Sequence, residues 1–391
     1  MPTAGLYPFQ WNWDSCLVAL GWATFDPDRA WLEIEMLFRA QWANGRVPHI
    51  VFHRPDDGYF PGPDVWQAGE AIATSGITQP PIAATCVKLV LDQHPAGAER
   101  ARALFPKLLA GHRWFHSERD PGHTGLVTTI HSWETGMDNS PAWDEALAAF
   151  EVAANLRPYT RRDTGHIDSA QRPSDRDYDR YMTLVELFRA HDYGPQAVEQ
   201  SPFQIADATT NAIPLRADRD LLAMARQFDE PTAEIEGWID RAEAAFTQFI
   251  HPETGLLHSV DRRRNALLGT ATHAGFLAFW AGTAPSGLDR QLTAWLADAA
   301  YAVPSIRISD LSFDRVRYWR GPIWAIANFI IAKGLEASGK DDLARRLRQD
   351  TQRLIATSGF FEYFDPIDGK GLGGGGFSWT AAMWLVWARN D

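Results

Sequence analysis

His131-Ser132-Trp133-Glu134-Thr135-Gly136-Met137-Asp138-Asn139-Ser140-Pro141-Ala142-Trp143-Asp144 gathers three acids around two tryptophans, directly ahead of a helical pattern. Asp138-Asn139-Ser140-Pro141 on its own is an ordinary helix start, with an acid to cap it and proline in the first turn. That reading accounts for one acid. It leaves Trp133, Glu134 and Gly136 unexplained. Flat apolar rings beside carboxylates are what a sugar site needs: rings for the C–H faces, charged groups for the hydroxyls.

Four further segments share this character. Tyr7-Pro8-Phe9-Gln10-Trp11-Asn12-Trp13-Asp14 puts two indoles two residues apart, a spacing that suits a loop better than a helix face. Arg317-Tyr318-Trp319-Arg320-Gly321-Pro322-Ile323-Trp324 gathers aromatics and arginines ahead of another helix. Phe360-Phe361-Glu362-Tyr363-Phe364 sets an acid among apolar rings, where desolvation raises a carboxyl pKa. The run Gly371-Leu372-Gly373-Gly374-Gly375-Gly376 lacks the preceding strand and following Lys-Ser/Thr of a phosphate loop, and is read as flexible backbone folded over a site. Glycoside hydrolysis needs two carboxyls flanking the scissile bond. Residues 131–144 and 360–366 supply one candidate each, Asp138 and Glu362.

Around these segments the pattern is helical. Apolar residues recur at three- and four-residue spacing over 28–44, 80–94, 98–118, 141–155, 177–192, 202–228, 230–249, 288–301, 322–338 and 341–358. Shorter patterns cover 66–73, 271–282 and 378–389. Strand signals are few, 46–52 and 125–130 being the best. No linker or composition shift divides the chain. The expectation is an all-α fold, one domain over 1–391, with the chemistry in its long loops; a toroid of paired helices fits this pattern, and the pattern alone does not separate it from an irregular helical domain.

Composition narrows the function. A formal net charge of -12 argues against nucleic acid or an anionic membrane as partner. Arg161-Arg162 and Arg262-Arg263-Arg264 carry no interleaved aromatics and are read as solvated faces. Cys16 and Cys86 both sit in apolar surroundings and are read as buried free thiols. The first residues show no basic stretch followed by an apolar one, and no apolar run is long enough for a span, so a cytoplasmic protein is expected. Its 17 Trp, 9 Tyr and 21 Phe point instead to a small-molecule glycoside as partner.

Trp133-Glu134-Thr135-Gly136-Met137-Asp138 resembles the W-E-S-G-x-D segment of trehalases and family 63 glycoside hydrolases, with Thr135 in place of Ser. Glu362-Tyr363 and Phe377-Ser378-Trp379-Thr380 resemble their C-terminal segment. Tyr7, Trp11, Trp13 and Asp14, with Tyr318, Trp319, Gly321, Pro322 and Trp324, match the pattern of the bacterial mannosylglycerate and glucosylglycerate hydrolases of that family. The chain begins six residues before Tyr7, short of an earlier helix that such relatives carry. The resemblance implies an (α/α)6 barrel and inverting chemistry, with Asp138 as general acid and Glu362 as general base. It implies a sugar subsite of Tyr7, Trp11, Trp13, Asp14, Trp133, Trp319 and Trp324. For the glycerate it implies Arg172, Tyr178, Tyr318, Gln79 and Tyr59, with Arg176 and Tyr181 as the alternative pair. Phe377 stands where the pattern leads one to expect a polar side chain.

The two carboxyls are expected about 6.5–9.5 Å apart, the spacing that leaves room for a water. No metal or cofactor is expected, and His112 and His116 are read as a solvated helix face. Glu134 is read as structural, Asp144 as a first-turn helix charge, Asp365 as a turn residue, and His49 and His131 as satisfied structural histidines. Two rivals remain. A sugar 2-epimerase would work through histidines and tolerate loss of Asp138 and Glu362. A non-catalytic sugar-binding protein would bind without turnover. Within hydrolases, kojibiose, trehalose and glucosylglycerol are the alternative substrates.

Overall fold

The computed structural model describes residues 1–389. Among these, six helical segments pack neighbour to neighbour into a closed ring. In chain order they are Asn12–Ala23, Ala83–Gln93, Ala208–Phe228, Ala278–Ala281, Ala325–Ala337 and Ser378–Met383, the last closing on the first. The ring helices are buried nearly all round. In Ala325–Ala337 every residue but Lys333, Glu336 and Ala337 is buried. Close approach also needs small residues: a Cβ on Gly21 would stand 2.7 Å from that of Ala382.

Outside the ring the pattern becomes one-sided. Pro27–Arg39 buries Ala30, Trp31, Ile34, Leu37 and Phe38 against Asn12–Ala23. Asp341–Ser358 buries Ala344, Leu347, Thr351, Leu354 and Ile355 against Ala325–Ala337. Ala98–Arg119 and Ala233–Ala245 pack on Ala208–Phe228. Amphipathic helices around an apolar inner ring form the expected all-α toroid. No helix among the described residues is long and apolar enough to cross a membrane.

Short antiparallel pairings lie at the N-terminal ends of ring helices. Gln10–Trp11 pairs with Ile50–Val51 just before Asn12–Ala23, and Ile205–Ala206 pairs with Val260–Asp261 just before Ala208–Phe228. Several ring helices thus begin at the strand-lined end, and so do the segments rich in tryptophan and acid.

Local expectations fail in several places: the helix expected over 66–73 becomes Pro63–Trp66 followed by the strands Ala68–Gly69 and Ala73–Thr74, and 125–130 forms only a bridge at Thr129. The pattern over 141–155 gives only Pro141–Trp143 and Asp144–Ala148, because Ser140 caps a 3-10 turn and the chain then leaves the helix. The helix expected from 202 starts at Ala208, since Ile205–Ala206 is taken by strand pairing and Asp207 accepts the N–H groups of Thr209 and Thr210. The glycine run is not a flexible loop: Gly371–Gly375 pairs with Phe361–Phe364.

Candidate active site

At the strand-lined end lies a pocket enclosing about 800 Å³ of atom-free space, its open mouth included. Asp138 and Glu362 both line it, although 224 residues separate them in sequence. Tyr7, Trp11, Trp13, Asp14, Tyr59, Gln79, Trp133, Arg172, Tyr178 and Tyr318 line it too.

The Trp133 segment folds as a 3-10 turn, Ser132–Thr135. His131 starts it, its Nδ1 accepting the Trp133 N–H at 3.0 Å while Nε2 donates to the Tyr181 carbonyl at 3.1 Å. Thr135 holds the turn by donating to the Ser132 carbonyl at 2.6 Å and accepting the Met137 N–H at 2.9 Å. Gly136 follows with a φ of +72°, and a Cβ there would stand 2.6 Å from the Trp13 ring. Glu134 turns inward, paired with Arg119 at 2.5 Å and accepting the N–H groups of Thr78 and Ile130. That is the structural role its sequence setting suggests. Asp144 pairs with Arg320 at 2.6 Å at a helix start. Asp365 accepts the Ile367 N–H in a turn.

Asp138, four residues beyond Glu134, faces the pocket. Its carbonyl accepts Tyr181 Oη and Trp143 Nε1, but its carboxyl takes no hydrogen bond from another residue among those described. It keeps some surface open to the pocket, yet the surrounding protein desolvates it and raises its pKa to about 7, with Arg172 pulling the other way.

Glu362 is 1% exposed on Phe361–Phe364. Burial raises its pKa, opposed by Arg172 and by donors. Its Oε1 accepts Tyr7 Oη at 3.1 Å and its Oε2 accepts the Gly374 N–H at 3.1 Å. Gly373 has a φ of +68°, and a Cβ there would stand 2.4 Å from Oε2. The glycines thus let one strand fold around the carboxylate of its neighbour.

Arg172 is the site's buried cation. Its Nη2 donates to Tyr7 Oη at 2.8 Å and its Nε to Asp163 at 3.2 Å. Its guanidinium carbon lies 4.2 Å from the Tyr318 ring centre. Nη1 stands 3.7 Å from Glu362 Oε2 and has no hydrogen-bond partner. Tyr178 and Tyr59 complete the aromatic wall near it, Tyr178 donating to the Phe60 carbonyl. Of the alternative pair, Arg176 is exposed and does not line the pocket, and Tyr181 is spent on the Asp138 carbonyl. Gln79 accepts the Trp13 N–H at 3.2 Å. Asp14, in the first turn of its helix, is pushed up to about 8 by burial.

Trp319 and Trp324 do not line the pocket. They stack on each other 3.6 Å apart and 1° from parallel, both 1% exposed, one layer behind Trp13. His49 departs from its structural reading: it lines the pocket beside Trp133, and its Nδ1 has no partner. Arg161-Arg162 is only partly the solvated face expected: Arg162 is exposed, Arg161 is not. Arg161 pairs with Asp163 and lies over Tyr178, and Arg162 lines the pocket. Phe377 also lines it, at a position the family pattern sets against the substrate, and so do Asp163, His166 and Trp379, which the sequence reading does not place there.

The solvated face expected of His112 and His116 is also wrong. Both turn inward onto Asp218, at 2.6 and 2.8 Å. The three are grouped closely enough for a metal. But each carboxylate oxygen already lies at hydrogen-bond distance from one imidazole, shorter than the roughly 3 Å between ligand atoms around a zinc ion.

Residues 7–380 match the sequence model of the mannosylglycerate hydrolase MGH1-like glycoside hydrolase domain. The chain is 48% identical over 398 residues to mannosylglycerate hydrolase MGH1 of Selaginella moellendorffii, covering 99% of this chain and 81% of that one. A more distant relative, the glucosylglycerate hydrolase of Mycolicibacterium hassiacum, is 35% identical over 98% of this chain and 92% of its own. The crystal structure of a family 63 mannosylglycerate hydrolase from Thermus thermophilus with Tris and D-glycerate superposes with a TM-score of 0.96 at 46% identity, covering 99% of this chain and 95% of that one.

Proposed function

The chain belongs to the MGH1-like glycoside hydrolase family, and we propose that it inverts configuration while hydrolysing mannosylglycerate or glucosylglycerate. Asp138 protonates the glycosidic oxygen. Glu362 removes a proton from a water that attacks the anomeric carbon from the opposite face. The carrying observation is the unequal support given to two carboxyls in one pocket. Asp138 lacks donors and is held up to about 7, which keeps a large share of it protonated near neutral pH. Glu362 is met by Tyr7, by the Gly374 N–H and by the charge of Arg172, all of which favour its ionised form.

Arg172 supports an anionic aglycone. A carboxylate can take its unpartnered Nη1, with Tyr178, Tyr59 and Tyr318 around it. Trp11, Trp13 and Trp133 receive the sugar, with Trp319 and Trp324 stiffening the wall behind. Asp14, raised to about 8, donates a hydrogen bond to a sugar hydroxyl as a neutral acid. Residues from Tyr7 to Trp379 contribute to one pocket, so 1–391 acts as one catalytic domain.

The test is sugar release from mannosylglycerate, glucosylglycerate, glucosylglycerol, trehalose and kojibiose, with NMR of the first anomer formed. The expected result is turnover of a glycerate glycoside with inverted anomer. Cleavage of the neutral sugars alone removes the role given to Arg172. A retained anomer removes the role given to Glu362.

A further inference from the structure

Arg162 and Arg172 line the pocket and Arg161 lies behind them over Tyr178; of the three, Arg161 and Arg172 are committed. Arg161 pairs with Asp163 at 2.7 Å and Asp175 at 2.9 Å. Arg172 is shared between Asp163, Tyr7 and Glu362. Arg162 lines the pocket, is exposed, and makes no ion pair or side-chain hydrogen bond among the described residues. It opens the 3-10 turn Asp163–Gly165, and His166 closes that turn. His166 is exposed, lines the same pocket, and lies against the first turn of the chain, 3.5 Å from where a Cβ on Gly5 would stand. Asp163, inside the turn, holds Arg172 below.

An incoming anion faces a chain of net charge -12 and, in the pocket lining, the carboxylates of Asp163 and Glu362. The inner cation is largely neutralised by its own partners. Attraction at the entrance therefore needs a cation not already spent, and one on a long, mobile side chain. We propose that Arg162, with His166, is an outer anion subsite. It takes the carboxylate of the arriving aglycone at the mouth, passes it to Arg172, and sets the preference for anionic over neutral glycosides. An aglycone with a second anionic group, such as a phosphate monoester, engages both stations at once. This rests on the anionic-aglycone reading above.

The test compares Arg162→Gln, Arg162→Lys and the double variant with His166→Gln, using the cleaved glycerate glycoside and its neutral methyl ester. In Arg162→Gln, kcat holds while KM for the charged substrate rises ~5- to 10-fold in dilute buffer. The difference shrinks below ~2-fold near 0.5 M salt, where charges are screened over a few ångströms. Lysine restores most of the affinity, the double variant loses more, and the ester is unaffected. D-glycerate carrying a phosphate monoester inhibits the wild type better than D-glycerate, and Arg162→Gln loses that advantage. An unchanged KM and salt dependence, or an equal loss on the ester, overturns the outer subsite alone. A wild type that cleaves ester and acid equally well overturns the anionic-aglycone reading and the subsite with it.

Discussion

Asp218 and Glu362 are both buried carboxylates with two polar side chains turned toward them, and the molecule finishes only one of the two clusters. At Asp218, 0% exposed, each oxygen is taken by one imidazole, and Trp238 stacks over His116 with ring centres 4.7 Å apart. Among the described residues, the cluster's one fully buried polar side-chain atom without a partner is His112 Nε2. The cluster ties Ala98–Arg119 to Ala208–Phe228. At Glu362 the neighbouring Arg172, which lines the pocket, keeps a buried N–H group without a partner. A buried guanidinium left short of one hydrogen bond is costly, and the shortfall is where a ligand gains most by arriving. Closed clusters hold helices together. Open ones bind.

The contrast breaks most easily at the two carboxyls proposed to be catalytic. Asp138→Ala and Glu362→Ala should each lower kcat/KM by roughly 10²–10⁴-fold. Near-UV circular dichroism should be kept in both; the melting temperature should be kept or raised in Asp138→Ala, where an unfavourable buried acid is removed, and lowered in Glu362→Ala, which leaves Arg172 without that counter-charge. A loss of fold in both variants would put them in the same class as Asp218.

The converse variant is Asp218→Asn. It replaces one of the two acceptor oxygens with an NH2 group, leaves one imidazole without its acceptor, and should cost about 2 kcal/mol in urea unfolding. The kcat below the transition should stay within about twofold, because no group of this cluster lines the pocket. A large kcat loss with intact stability would join the two clusters functionally and end the comparison.

The smallest effect is one of sign with pH. Asp218 is pulled down to about 2 by His116 and His112 against the cost of burial. Its contribution is therefore present above about pH 4, the unfolded carboxyl range, and is lost as pH falls toward 2. Asp138 is raised, so its stabilising proton is present below about pH 4 and is lost as pH rises through 7. Asp138→Asn does not titrate. Its melting temperature should exceed that of the wild type by a few degrees at pH 8 and by little at pH 5. A gap independent of pH would mean that desolvation of Asp138 is not what the substitution relieves.

The helical class and the two candidate carboxyls are visible in the sequence because both rest on local signals, helical periodicity and acids embedded among tryptophans, while the toroid and the roles proposed for Asp138 and Glu362 come from the resemblance of their motifs to a family. What stays hidden depends on distant partners. His112 and His116 look like a solvated face until Asp218, more than a hundred residues away, is placed opposite them. Asp163, Arg162 and His166 lie where no apolar period marks an element, so nothing local brings them to the pocket. The glycine run opposes strand propensity, and only the need for backbone beside Glu362 explains its pairing. Trp319 and Trp324 are aromatic neighbours of the site, as their motif implies, but sequence cannot say which of two layers an indole occupies.

That hidden layer has an optical consequence. Two indoles stacked 3.6 Å apart and parallel to within 1° share their electronic transitions, so they absorb as one coupled chromophore rather than as two. Their exciton band in circular dichroism belongs to the wall behind the sugar and to no other pair of that geometry among the described aromatics. Followed during heating, it would time the loss of that wall separately from the melting of the helices that carry it.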